Sequence, residues 1–341
     1  MARCSGTTIR FAASASLFAV AAATHAGTID ELYADGFEDL PDCEALRGTP
    51  ACPGFALVTA PIPAGAPGAT RASCYFFRAP NTDPVAVREL ESSFGTGVAR
   101  IVLYVTVDGS GVPVERHPPG TILQDDCETA GTAGVNIRRL YQAHEPVQLL
   151  TMPFDDGGGD PVAIPLAAQQ PLAMAVHRIL PDAAPATTQV DLVARGLPRG
   201  RTFTATATYM ATNIDISIPP QAVGHVVARS CPVPANVAFW WFSTHTHRQG
   251  TLARVQRTGS ATTTIVESTD WESPAIASFA TAPFFVFQPA DQLRYECTYV
   301  NPSDRTITFG PDEDSDEQCV AITYFFPATR PLICVNSLGP I

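Results

Sequence analysis

Seven histidines are spread over 341 residues, and two of them, His245 and His247, stand one residue apart in the stretch WWFSTHTHRQG at positions 240–250. On an extended strand, residues i and i+2 face the same side. Two imidazoles so placed make half of a copper or zinc site. The plainer reading is two polar residues alternating along a strand, and the triplet alone does not decide between them. The neighbouring Trp240 and Trp241 also read two ways, as an aromatic wall beside the histidines or as indole filling a core.

Other groups of reactive side chains read more simply. The acidic run Asp312, Glu313, Asp314, Asp316, Glu317 lacks the glycine and the closing glutamate that a calcium-binding loop needs at its sixth and twelfth positions, and reads as a solvated loop. The stretch DDGGGD at 155–160 reads as a turn. His117 and His144 stand in no paired context and read as surface residues. No CxxC pair and no GxSxG, Walker A, GxGxxG or HExxH motif occurs, which argues against zinc-ribbon, dithiol, serine-hydrolase, nucleotide and zincin chemistry.

The elements that must position these residues are strands. Short runs rich in Val, Thr, Ile and aromatics recur at Ser73–Phe77, Ala99–Thr106, Leu172–His177, Thr202–Tyr209, Val237–Phe242, Thr262–Val266, Phe284–Phe287, Leu293–Val300, Thr306–Phe309 and Val320–Phe326. Clusters drawn from 31 Pro and 24 Gly separate them, which disfavours long helices and points to an all-β sandwich architecture. One short helix is expected, over Val85–Ser93. A domain boundary is expected near RGLPRGR at 195–201. The division is then a signal peptide at 1–26, a leader segment at 27–56, a first sandwich at 57–198 and a second at 199–341.

Composition sets the setting. With 45% hydrophobic and 16% charged residues the chain is globular rather than disordered, and a net charge of −12 disfavours nucleic acid as a partner. Arg3 and Arg10, the apolar run Phe11–Ala23 and the small residue Ala26 compose an export signal, and no later apolar run is long enough to span a membrane. Secretion or a periplasmic location is therefore expected. Removing the signal takes Cys4 with it and leaves Cys43, Cys52, Cys74, Cys127, Cys231, Cys297, Cys319 and Cys334. An even count in an exported chain points to disulfides without choosing their pairing.

Taken in order, Cys231, then His245-Thr246-His247-Arg248-x-Gly250, then Cys297-x-Tyr299-x-Asn301, then DEDSDEQC ending at Cys319, then Cys334, resemble the copper type II ascorbate-dependent monooxygenases. SIPPQ at 217–221 fits the same pattern, and CYFFRAP from Cys74 and LAMAVHRI around His177 resemble strands of the family's first domain. The resemblance implies two tandem antiparallel jelly-roll-like β-sandwich domains. It also implies the pairs Cys297–Cys319, Cys231–Cys334 and Cys74–Cys127, leaving Cys43–Cys52 as a local pair. It implies copper, with ascorbate as reductant, and a small-molecule or peptide substrate that the sequence does not identify.

The resemblance further implies two copper sites, and the sequence departs from both. The second-domain site takes the HxH histidines and a methionine, where this chain has Gln318. His245, His247 and Gln318 are then the expected ligand set, with the harder amide favouring Cu(II) over Cu(I). The first-domain site takes an adjacent histidine pair, replaced here by Ala99 and Arg100, and a later histidine that matches His177. A guanidinium there repels a cation, so the electron-transfer copper is expected to be absent and His177 to be structural. Three functions remain open: a one-copper binding protein in which coupled hydroxylation is lost, an oxidoreductase activating oxygen at a single copper, and a metal-free binding or structural protein.

Overall fold

The structure is a computed structural model and describes residues 52–63, 71–108, 111–124, 127, 135–178, 187–328 and 330–339. The expected signal peptide, and Cys43 with nearly all of the leader segment, lie outside the described residues. Among the described residues there is no helix, and none therefore is long and apolar enough to cross a membrane. The chain is all-β.

Four large sheets carry the fold, as two facing pairs. In the first pair, one sheet runs Gly54–Val58, Val190–Gly196, Val85–Phe94, Val162–Leu166, Thr204–Ala205, with Val147–Thr151 also on Val85–Phe94. The other runs Ile122–Leu123, Arg71–Arg78, Pro171–Arg178, Arg100–Asp108, Val135–Ala143. In the second pair, a five-stranded sheet runs Ile276–Ser278, Ala238–His245, Val320–Phe326, Ala207–Thr212, Leu332–Val335. It faces a four-stranded sheet of Val223–Pro232, Gln292–Val300, Gly250–Thr258 and Thr263–Ser268. Pairing is antiparallel except at Thr204–Ala205 and Leu332–Val335, which run parallel to their neighbours.

The five-stranded sheet of the second pair is apolar on both faces. Every residue of Val320–Phe326 is buried. Phe325 and Ala321 join Phe239, Phe242 and Tyr295 in the core of the second sandwich. Tyr324 and Phe326, with Trp240, pack instead into the core of the first, against residues such as Leu140 and Tyr141. Trp240 is thus core indole. Fully burying an aromatic of this size contributes about 1.5–3 kcal/mol, so these three side chains make the contact between sandwiches a hydrophobic one. Polar bonds fix its register: Tyr324 Oη donates to Leu140 O at 2.8 Å, and Thr208 Oγ1 to Arg139 O at 2.5 Å.

The chain passes between the sandwiches at a single residue. Thr204–Ala205 pairs with the first pair of sheets and Ala207–Thr212 with the second. Thr206, between them, donates its amide to Ala163 O at 2.9 Å and its hydroxyl to Phe325 O at 2.9 Å. The same hydroxyl accepts from Trp240 Nε1 at 3.0 Å. The alternating run expected over Thr202–Tyr209 is therefore two strands hinged on a buried threonine.

The helix expected over Val85–Ser93 is a strand, Val85–Phe94. Apolar Val87, Leu90 and Phe94 are three and four apart because Arg88 is an extra residue: Val87 pairs with Gly196 and Glu89 with Arg195, leaving Arg88 unopposed. A bulge shifts the alternation by one and imitates a helical period. Gly196 belongs to the same device, since a Cβ there collides with Val85 Cγ2. The run Phe284–Phe287 is likewise no strand; its contribution is one bridge, Phe285 to Phe239.

Three disulfides join pairs of described residues: Cys74–Cys127, Cys231–Cys334 and Cys297–Cys319. Cys52 is disulfide-bonded too, with its partner outside the described residues. Cys231–Cys334 and Cys297–Cys319 both join the four-stranded to the five-stranded sheet of the second sandwich. They close loops with separations of 103 and 22 residues, and bridges of this kind stabilise by about 2–4 kcal/mol each.

Thr206→Val keeps the shape of the crossover residue but leaves the buried Trp240 indole N–H without an acceptor. Urea unfolding is expected to register a loss of about 1–3 kcal/mol; an unchanged midpoint would show that this hydroxyl does not tie the sandwiches together.

Candidate functional site

Two cross-strand neighbours of the first sandwich open the site. Arg100 begins the strand Arg100–Asp108 and pairs in register with His177 near the end of Pro171–Arg178. Both are buried, at 6% and 3% exposure. Opposite them the second sandwich brings His245, the last residue of Ala238–His245, at 1% exposure. The strand ends there, so His247 lies past it, where the chain turns back. The two rings remain neighbours, with centroids 5.2 Å apart and planes at 73°.

The guanidinium of Arg100 fills the space between the two sets of histidines. Its Nη1 lies 2.5 Å from Nε2 and 2.9 Å from Nδ1 of His245. Its Nη2 lies 3.3 and 3.4 Å from the ring nitrogens of His177 and 3.1 Å from Glu313 Oε1. Similar distances to both nitrogens of a ring mean that the cation lies against the imidazole as a whole rather than along one lone pair. Glu313 closes the group, with Oε1 also 3.3 Å from His177 Nδ1. Burial acts to raise the Glu313 pKa, but the Arg100 charge and the contact with His177 outweigh it and hold the carboxyl well below its usual range.

His247 is held differently. Its Nδ1 meets Asp316 O at 3.1 Å, which makes it the protonated nitrogen, and its Nε2 is buried with no hydrogen-bond partner. Glu317, fully buried, accepts from the amides of His247 at 2.9 Å, Gln249 at 2.7 Å and Gln318 at 3.1 Å. Burial pushes the Glu317 carboxyl up to about 7 against those bonds. Gly250 closes the turn, its amide on His247 O at 3.0 Å, and a Cβ there would stand 2.6 Å from Thr246 Cβ. Arg248 pairs with Asp314 at 2.7 Å. The acidic segment is thus docked onto the histidine turn, with Glu313 and Glu317 inside; the solvated loop expected there is corrected for these two residues.

His144 is not the surface histidine expected. It is partly buried after the strand Val135–Ala143, its ring centroid 6.3 Å from that of His245. Burial, with Arg100 adding to it, lowers its pKa to about 3 and that of His247 to about 4; His245 is driven well below its usual value by the same two causes. These three imidazoles are neutral at physiological pH, and Arg100 and Glu313 form a buried ion pair beside them. His117 lies apart from the group, its ring against Phe76.

Gln318 follows Glu317 in the chain and gives its backbone amide to that carboxylate. Its side-chain amide donates to Gly310 O at 3.2 Å, and its backbone carbonyl accepts from Tyr299 Oη at 2.7 Å. The Cys297–Cys319 bridge anchors the next residue.

Residues 204–341 match the family model described as copper type II ascorbate-dependent monooxygenase, C-terminal domain. The match spans the second sandwich, less than half of the chain. No curated protein matches the chain. Among solved structures, the major capsid protein P2 of bacteriophage PM2 shares 9% identity over 80% of this chain and 97% of its own, with a TM-score of 0.28. The infectious bursal disease virus VP2 subviral particle shares 12% identity over 80% and 71%, with a TM-score of 0.20. At such TM-scores the likeness bears on neither fold nor function.

The copper monooxygenase family implies a metal, and the residues here can be tested against one. His247 suits it, with a buried lone pair on Nε2 and the opposite nitrogen oriented by a carbonyl. His245 does not. A metal on an imidazole nitrogen stands about 2.0–2.1 Å along the lone pair, and the Arg100 guanidinium already covers both nitrogens of that ring. A second cation beside the guanidinium is repelled at low dielectric. Among the described residues, no group of three or more His, Cys, Asp or Glu side chains is arranged as a metal cage. With Arg100 in place, the donor set does not fit copper.

Glu317→Ala removes the acceptor from three backbone amides at once. Urea unfolding is expected to show a loss of at least about 2–3 kcal/mol; a change within about 0.5 kcal/mol, the range of ordinary surface substitutions, would mean that this carboxylate does not organise the turn.

Proposed function

We propose that this chain is an exported, disulfide-braced relative of the copper type II monooxygenases that does not catalyse copper-dependent hydroxylation. It acts as a metal-free binding or structural protein on that scaffold. The observation that carries this reading is the Arg100 guanidinium, seated between His245 and His177 and neutralised by Glu313. A buried arginine keeps its charge, so the space is taken by a permanent cation. The first-domain position that would supply a histidine pair supplies Ala99 and this arginine instead. Neither the one-electron relay nor the oxygen-binding centre of the family then has its metal, and ascorbate has nothing to reduce.

Export is part of the same reading. Arg3, Arg10 and the apolar run Phe11–Ala23 supply the signal, and the disulfides suit an oxidising compartment. The mature chain is expected to begin near Gly27 on N-terminal sequencing of exported material; a mature protein that still starts at Met1 would contradict it.

One observation favours a second reading, a single copper at His245 and His247 with Gln318 as third ligand. It is the orphaned Nε2 of His247, a buried lone pair that a metal would satisfy. Copper stoichiometry separates the readings. The purified protein, incubated with Cu(II) and passed through a desalting column, is expected to retain no copper and to show no ascorbate-driven oxygen uptake above a protein-free control. One retained copper with nitrogen hyperfine structure, lost in His247→Ala, would establish the second reading and overturn the first.

A further inference from the structure

Three side chains from two sandwiches meet one guanidinium. His177 comes from the first sandwich, His245 and Glu313 from the second, and all three contact Arg100 within 3.4 Å. His247 stands beside them, its ring next to that of His245 and its Nε2 without a partner. Removing the guanidinium would leave a carboxylate at 4% exposure beside His177 without its arginine partner. A buried carboxylate without a counter-charge is costly, and the surroundings then favour any cation that fits.

We propose that Arg100 is the resident cation of this cluster, and that replacing it with a neutral residue opens a divalent transition-metal site built by His177, His245, His247 and Glu313. The inference rests on the reading that the intact chain holds no tight copper. It goes beyond that reading by assigning a cross-sandwich donor set, two members of which, His177 and Glu313, stand outside the expected set of His245, His247 and Gln318. Three imidazoles and a carboxylate suit Cu(II) best among divalent first-row metals, with Zn(II) weaker. Three of the four donors already contact the Arg100 guanidinium, and His247 adjoins His245; they are not arranged as a metal cage around it, so a metal in the vacated space requires the side chains to turn their lone pairs inward and close to about 2.0–2.2 Å. The next nearby guanidinium, that of Arg139, is engaged with the side chain of Gln142.

The test compares the intact protein with Arg100→Ala, Arg100→Gln and Arg100→Lys by thermal melting, in chelator and with added Cu(II) or Zn(II). Arg100→Gln keeps most of the volume in case the alanine variant fails to fold, and Arg100→Lys keeps the charge. The neutral variants are expected to melt lower than the intact chain in chelator, and to regain stability with Cu(II), because a ligand that binds only the folded state raises its melting point. They should retain one copper per chain with nitrogen hyperfine structure, and lose it when Glu313→Gln or His177→Ala is added. The intact chain and Arg100→Lys should show no metal-dependent shift. Folded Arg100→Ala and Arg100→Gln that neither bind Cu(II) nor gain stability from it, with the intact chain also metal-free, would overturn this inference and leave the metal-free reading standing. Tight copper on the intact chain itself would overturn both.

Discussion

A guanidinium carried out of water between two β-sandwiches has to be neutralised where it lies, and Glu313 does this for Arg100 at 3.1 Å. Breaking a buried pair of this kind by removing one partner costs about 3–5 kcal/mol, because the other charge stays behind unpaired. Much else in the site follows from keeping that pair together. Glu313 can reach Arg100 only because the acidic segment is folded back onto the histidine turn, and Glu317 fastens it there through the amides of His247, Gln249 and Gln318. Burial, together with the positive charge, lowers the pKa of His144, His245 and His247.

The fold supplies the rigidity that such a buried pair needs. One sheet serves two cores: Phe239, Phe242 and Phe325 on one face, Trp240, Tyr324 and Phe326 on the other. His245 ends a strand of that sheet, on the side toward the first sandwich, and so meets Arg100 and His177. The Cys297–Cys319 bridge anchors the sheet one residue after Gln318, and Thr206 ties the crossover to both sandwiches. Position at the junction, more than residue type, turns a strand-end histidine into part of an interdomain contact.

How far all this was legible in the sequence differs by feature, for physical reasons. The all-β class was visible because proline and glycine punctuate short β-branched and aromatic runs. Val85–Phe94 was hidden because the bulge at Arg88 converts a period of two into spacings of three and four. The HxH pair and the arginine at the histidine-pair position could both be read from motif order, but nothing in the sequence places Arg100 against His245, 145 residues away. Glu313 and Glu317 were masked by their neighbours. Asp312 caps the amides of Asp314 and Ser315 at the surface, as short acidic residues in turns do, while the two longer glutamates reach inward. His144 looked exposed because its burial comes wholly from tertiary packing.

The Arg100 guanidinium, rather than a metal, lies between the histidines of the two sandwiches. Diffraction from crystals grown in excess Cu(II), with anomalous data collected at the copper edge, tests it most directly. No anomalous peak is expected among His177, His245 and His247, and the Arg100 guanidinium is expected in density between His245 and His177 with Glu313 beside it. A copper peak on His245 and His247, with Arg100 turned away, would contradict it.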